Sequence, residues 1–195
     1  MSKLKYRMRT PLLAGGIRAQ DGRLSDVREW WARKWRMAIE GMEVKSRLGR
    51  GRNYAASGQV TRLELEGSRV TASVVGTRET PYEVEFRFRE PEGESRSRIV
   101  AALRAEPILV ARLLAEDLPT EIEELFRAEG FTLFPGGKLA PGKYDVTTKC
   151  SCPDWANPCK HSGAVLLLLG EEIARRPATL LELRGIALEE LYDED

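Results

Sequence analysis

A chain of 195 residues is long enough for one domain of ordinary size or two small ones. With 42% hydrophobic and 31% charged residues it has the balance of a soluble globular protein. Its longest apolar run, Ala164 to Leu169, is far short of the roughly 20 residues that cross a bilayer, so a cytoplasmic protein with no membrane partner is expected. The net charge of +1 hides an uneven distribution: residues 1–52 carry 14 Lys/Arg against 5 Asp/Glu, and residues 106–130 carry 2 against 7. A basic head and acidic later segments suit contact with a polyanion, or pairing between the two ends of the chain.

The opening is loop-like and leads into a helical pattern. Leu24, Val27, Trp31, Trp35, Ala38 and Met42 recur every three or four residues, and Asp26 with Glu29 has the form of a capping box. A single helix is therefore expected from about Asp26, ending in the glycine-punctuated basic loop "RLGRGRNY". Trp30, Trp31 and Trp35 either line the core or offer rings for stacking, and their helical spacing favours the core. Residues 1–53 thus form a basic N-terminal helical segment.

The period then changes to two. "SGQVTRLELEG", "SRVTASVVG" and "PYEVEFRFRE" alternate apolar and polar residues, which predicts an antiparallel β-meander over residues 54–92. Its buried face is Val60, Leu63, Leu65, Val70, Ala72, Val74, Tyr82, Val84, Phe86 and Phe88, and the broken alternation between Val60 and Leu63 leaves room for a bulge. "PEGESRS" reads as a polar turn. Residues 95–130 read as a helical segment broken at Pro107 and Pro119 and stopped at Gly130. Residues 131–195 hold a hairpin, the cysteines and C-terminal helices. The fold class expected is α+β: a basic N-terminal helix, a small antiparallel sheet, a helical middle and a C-terminal metal module.

All three cysteines and the only histidine fall within twelve residues, as Cys150-x-Cys152, six residues, then Cys159-x-His161. Three thiolates and one imidazole are the donor set of a closed structural zinc site, and Pro153, Asp154, Asn157 and Pro158 supply the turn between the pairs. The alternative is that the cysteines are small buried hydrophobes and the histidine a surface residue. The scarcity of both residue types elsewhere argues against it. One structural Zn2+ is expected, with no open position for a substrate.

C-x-C-x6-C-x-H followed by an apolar helix resembles the SWIM-type zinc finger family. All four ligand positions match, as Cys150, Cys152, Cys159 and His161. The upstream stretch "GRGRNYAASGQVTRLELEGSRVTASVVGTRETPYEVEFRF" is similar, more loosely, to bacterial and archaeal SWIM proteins. The resemblance implies a ββα arrangement around the metal and a module for DNA or protein contact. It also implies a helicase-like ATPase of the Swi/Snf type as a partner.

Recognition must come from side chains around the metal. Lys149, Trp155 and Lys160 lie in or beside the finger; Trp155 would stack on a base or else pack on the zinc site. Arg50 and Arg52 flank Gly51, where backbone could approach a phosphate. No enzyme is expected: the one histidine is claimed by zinc, and there is no P-loop or dinucleotide fingerprint. The expected function is noncatalytic nucleic-acid binding, DNA favoured, with no small-molecule substrate. A protein-interaction subunit is the alternative.

Overall fold

The computed structural model describes residues 14–20, 28–42, 45–136, 138–140, 143–154 and 157–192. Among them are seven α-helices: α1 Trp30–Gly41, α2 Lys45–Ala56, α3 Gly93–Arg104, α4 Pro107–Leu114, α5 Thr120–Ala128, α6 Lys160–Arg175 and α7 Thr179–Glu182. The strands are β1 Val60–Glu66, β2 Arg69–Val74, β3 Tyr82–Phe88, β4 Lys138–Ala140, β5 Lys143–Tyr144 and β6 Val146–Cys150. A short 3-10 turn, Glu189–Leu191, follows α7. The molecule is α+β, as its two hydrophobic periods predict.

The meander forms as its alternation dictates, in antiparallel register with Val70 opposite both Leu65 and Phe86. The register slips between Val60 and Arg62, where the sequence breaks alternation. Strand β6 then adds to β3, so the four-stranded order is β1-β2-β3-β6 and Cys150 lies opposite Val84. The sheet's inner face supplies Val70, Ala72, Val74, Tyr82, Val84, Phe86 and Phe88, all buried; Leu63 and Leu65 are only half-buried.

Helix α6 is the centre of the core. Every residue from His161 to Gly170 is buried, which an amphipathic surface helix cannot achieve. It packs against α1, α2, α7 and the inner face of the sheet. Trp31 and Trp35 settle as core residues: each indole N–H donates to a carbonyl of α6, Trp31 to Ile173 at 3.1 Å and Trp35 to Leu166 at 3.2 Å. A tryptophan is buried at little cost only when its N–H finds such an acceptor.

Three expectations fail. The first helix is two helices, parted after Gly41 and Met42; Leu24, Asp26 and Val27 lie outside the described residues, and Glu29 caps α1 without a side-chain bond. The basic "GRGRNY" stretch is no loop but the body of α2. Glycine is a poor helix former, costing about 1 kcal/mol against alanine, so the helix here is imposed by its packing on α6. The supposed turn "PEGESRS" is largely the first turns of α3: Gly93, at φ +55°, starts the helix, and Glu94 sits in its first turn, where a negative charge is favoured.

One buried ion pair locks the approach to the metal module. Arg184, 1% exposed, reaches Asp145 at 2.6 Å and also donates to the carbonyls of Leu133 and Arg89. Asp145 in turn accepts from the Gly136 amide at 2.7 Å. The residue immediately before β6 is thereby tied to β3's end and to the chain after α7.

Candidate metal centre

The four ligands come from three pieces of backbone. Cys150 ends β6, Cys152 lies in the turn after it, and Cys159 and His161 open α6. The intervening turn is held from outside by Arg47 of α2, which bonds Asp154 at 2.6 Å, and by Asn157, whose side-chain amide donates to the Thr148 carbonyl at 2.8 Å. Sheet, turn and helix therefore converge because β6 pairs with β3 and α6 packs beneath it.

The ligand atoms of Cys150, Cys152, Cys159 and His161 all lie within 4.8 Å of one another. His161 turns Nδ1 toward the sulfurs, 3.8 Å from Cys150 and 3.7 Å from Cys159. Around a tetrahedral zinc, a sulfur and a nitrogen ligand sit about 3.5 Å apart, so these spacings and this donor set fit one zinc ion. Cys159 and His161 are buried, and Cys150 and Cys152 half-buried. Bound there, zinc would crosslink β6 to α6 with its tetrahedral positions filled by protein.

Three thiols this close resist ionising together. Sharing a proton with Cys159 pushes Cys150 up, and the same sharing, with help from His161 and the Ser162 amide, holds Cys159 down. Burial pushes Cys152 up. A divalent cation is what such a cluster accommodates, since it replaces the shared protons and neutralises the thiolates.

The residues expected to contact nucleic acid do not share one face. Arg50 is exposed on α2, one turn before Tyr54, and Lys160 places its ammonium 5.1 Å from the centre of the Tyr54 ring, so these two flank one tyrosine. Arg52 is about 200° around the helix from Arg50, 4.0 Å from Glu40 of α1. Lys149 is exposed on the outer face of β6, in register with Glu85, away from α6. Trp155 lies outside the described residues.

Gly51 has a different job from close approach to a phosphate. A Cβ there would lie 2.9 Å from backbone atoms of Gly163 and Ala164 and 3.0 Å from the Lys160 carbonyl. The glycine lets α2 lie against the start of α6, beside the ligands.

Nothing in the sequence announced that Arg47, Tyr54, Arg78 and Tyr82 serve the metal site. The two tyrosines pack on His161, Tyr82 stacked at 4.4 Å and Tyr54 edge-on at 5.2 Å, and Arg78 lies 4.0 Å over the Tyr82 ring. Tyr82 was legible only as one inward position of a strand. No local pattern ties it to a histidine 79 residues later.

Comparison with known proteins agrees with the geometry. Residues 143–170 match the SWIM zinc finger family, a span that includes all four ligands. The chain is also 34% identical over 177 residues to the uncharacterized protein Rv2102 of Mycobacterium tuberculosis, covering 91% of this chain and 62% of that protein. No solved structure matches. No helix among the described residues is long and apolar enough to cross a membrane.

Proposed function

We propose that this chain, which carries a SWIM zinc finger, is a noncatalytic nucleic-acid-binding protein in which zinc is structural and DNA is the favoured ligand. A set of cations beside the finger with no carboxylate partner carries the reading. Many arginines of the sheet and outer helices are ion-paired, among them Arg62 with Glu83, Arg69 with Glu85, Arg98 with Glu129, Arg112 with Asp117 and Arg176 with Glu182. Among the described residues no carboxylate pairs with Arg50, Arg78, Lys149 or Lys160, which lie around the finger. A cation that is not neutralised internally is available to a phosphate, and releasing its counterions drives binding.

Labelled DNA and RNA oligonucleotides titrated at several salt concentrations test this reading. The logarithm of affinity should fall linearly with the logarithm of salt, and Arg50→Ala and Lys160→Ala should each reduce the slope by about 1. No binding to either nucleic acid at about 50 mM salt would reject it.

A second reading has its own observation. On α4, Ile108 is 65% and Leu114 54% exposed, in a stretch that also carries Glu106 and Glu116. A protein partner would cover these side chains, and a helicase-like ATPase is the partner implied by resemblance to the family. Retention of the full chain on such an ATPase, with no nucleic-acid binding, would favour this reading over the first.

A further inference from the structure

The imidazole of His161 is held in an unusual way for a metal ligand. A ligating histidine ordinarily donates its second ring N–H to a carboxylate, a carbonyl or water, which fixes the ring. Here Nε2 is buried and has no hydrogen-bond partner among the described residues. What surrounds the ring is aromatic. Tyr82 stacks on it with centroids 4.4 Å apart and planes 21° from parallel, and Tyr54 meets it edge-on at 71°.

The cage has a built seat. A Cβ on Gly76 would come within 2.5 Å of Tyr82 Cε2 and 3.5 Å of His161 Nε2, so that glycine is needed for room. Outside, the Arg78 guanidinium lies 4.0 Å from the Tyr82 ring centre. It cannot share the ring face already occupied by the imidazole, so Tyr82 is sandwiched between His161 and Arg78. Arg78 is fixed in turn by donating to the Thr80 carbonyl at 3.0 Å and to Ser151 Oγ at 3.3 Å.

We propose that Tyr82, seated by Gly76 and buttressed by Arg78, is a positioning residue for the zinc site: ring packing, in place of a hydrogen bond, keeps Nδ1 of His161 aimed at the three sulfurs. The inference rests on the zinc reading of the cluster. Stacking resists rotation of the imidazole about its Cβ–Cγ bond, which would carry Nδ1 away from the sulfurs. It also keeps water from Nε2, and so slows ligand exchange.

The test uses the full zinc-loaded chain with two readouts, the rate of zinc transfer to a chromophoric chelator and the nitrogen–proton spectrum of the imidazole. His161 is the only histidine, so that spectrum is unambiguous. Tyr82→Phe keeps the ring and should match the wild type in both. Tyr82→Leu should release zinc about 10-fold faster, with an altered or exchange-broadened imidazole spectrum. Arg78→Ala, at an exposed position, should accelerate release about 2- to 5-fold, and it serves where Tyr82→Leu does not fold. Phe88→Leu removes another buried ring from the same strand and should leave release unchanged.

Release from Tyr82→Leu and Arg78→Ala at the wild-type rate would overturn the inference. So would equal acceleration in Tyr82→Leu and Phe88→Leu, which would make Tyr82 merely structural. A wild-type chain that takes up no zinc would remove the zinc reading itself, a distinct failure.

Discussion

Gly49 and Gly51 sit two residues apart in α2 and should respond to the same substitution in opposite directions. A Cβ at Gly49 meets nothing within 4 Å, whereas one at Gly51 strikes the backbone of α6 at 2.9 Å. Gly49→Ala should stabilise by about 0.5–1 kcal/mol through helix propensity and a less flexible unfolded chain. Gly51→Ala should destabilise by about 1–3 kcal/mol, because neither backbone can yield without moving the helix that carries Cys159 and His161. Urea unfolding of the two variants checks the pair; equal shifts would mean the crossing is looser than described. At this scale the sequence revealed the ligands, because Cys150, Cys152, Cys159 and His161 declare their purpose by local spacing. It did not reveal that Tyr54, Tyr82 and Arg47 serve the site, because their partners are far along the chain and follow no short pattern.

Elements were legible where one period dominates. The meander and its bulge follow from alternation, and α6 was expected as an apolar helix after His161. Helix α2 was not legible. Its glycines and arginines carry the composition of a loop, and only the groove beside α6 makes a helix of them. The same long-range logic governs Arg184 and Asp145. Their buried pair joins the chain after α7 to the residue that precedes β6. Burial lowers the Arg184 pKa, and the Asp145 carboxylate opposes that shift. Removing either partner strands a charge in the core, so Arg184→Ala or Asp145→Ala should cost about 3–5 kcal/mol. The loss should appear in chemical denaturation as a lower midpoint. A shift below about 1 kcal/mol would show that water reaches the pair.

At the scale of the whole molecule, sheet, α6 and metal cluster share one core. Strand β6 brings two things together: it completes the sheet beside β3, and its last residue is the first metal ligand. Holding β6, the turn after it and α6 to one ion therefore fixes the sheet's edge against its central helix. The α+β class followed from composition and periodicity alone, since each hydrophobic run names its own element. The pairing of β6 with β3 did not follow, because a fourth strand 58 residues downstream of β3 leaves no trace in local pattern. The unpaired cations beside the finger became visible only once the fold had placed them there. Metal analysis of the purified, folded full chain tests the central claim most directly. One zinc per chain, lost in Cys159→Ser, is the result predicted; a wild-type chain that keeps its fold without bound metal would contradict it.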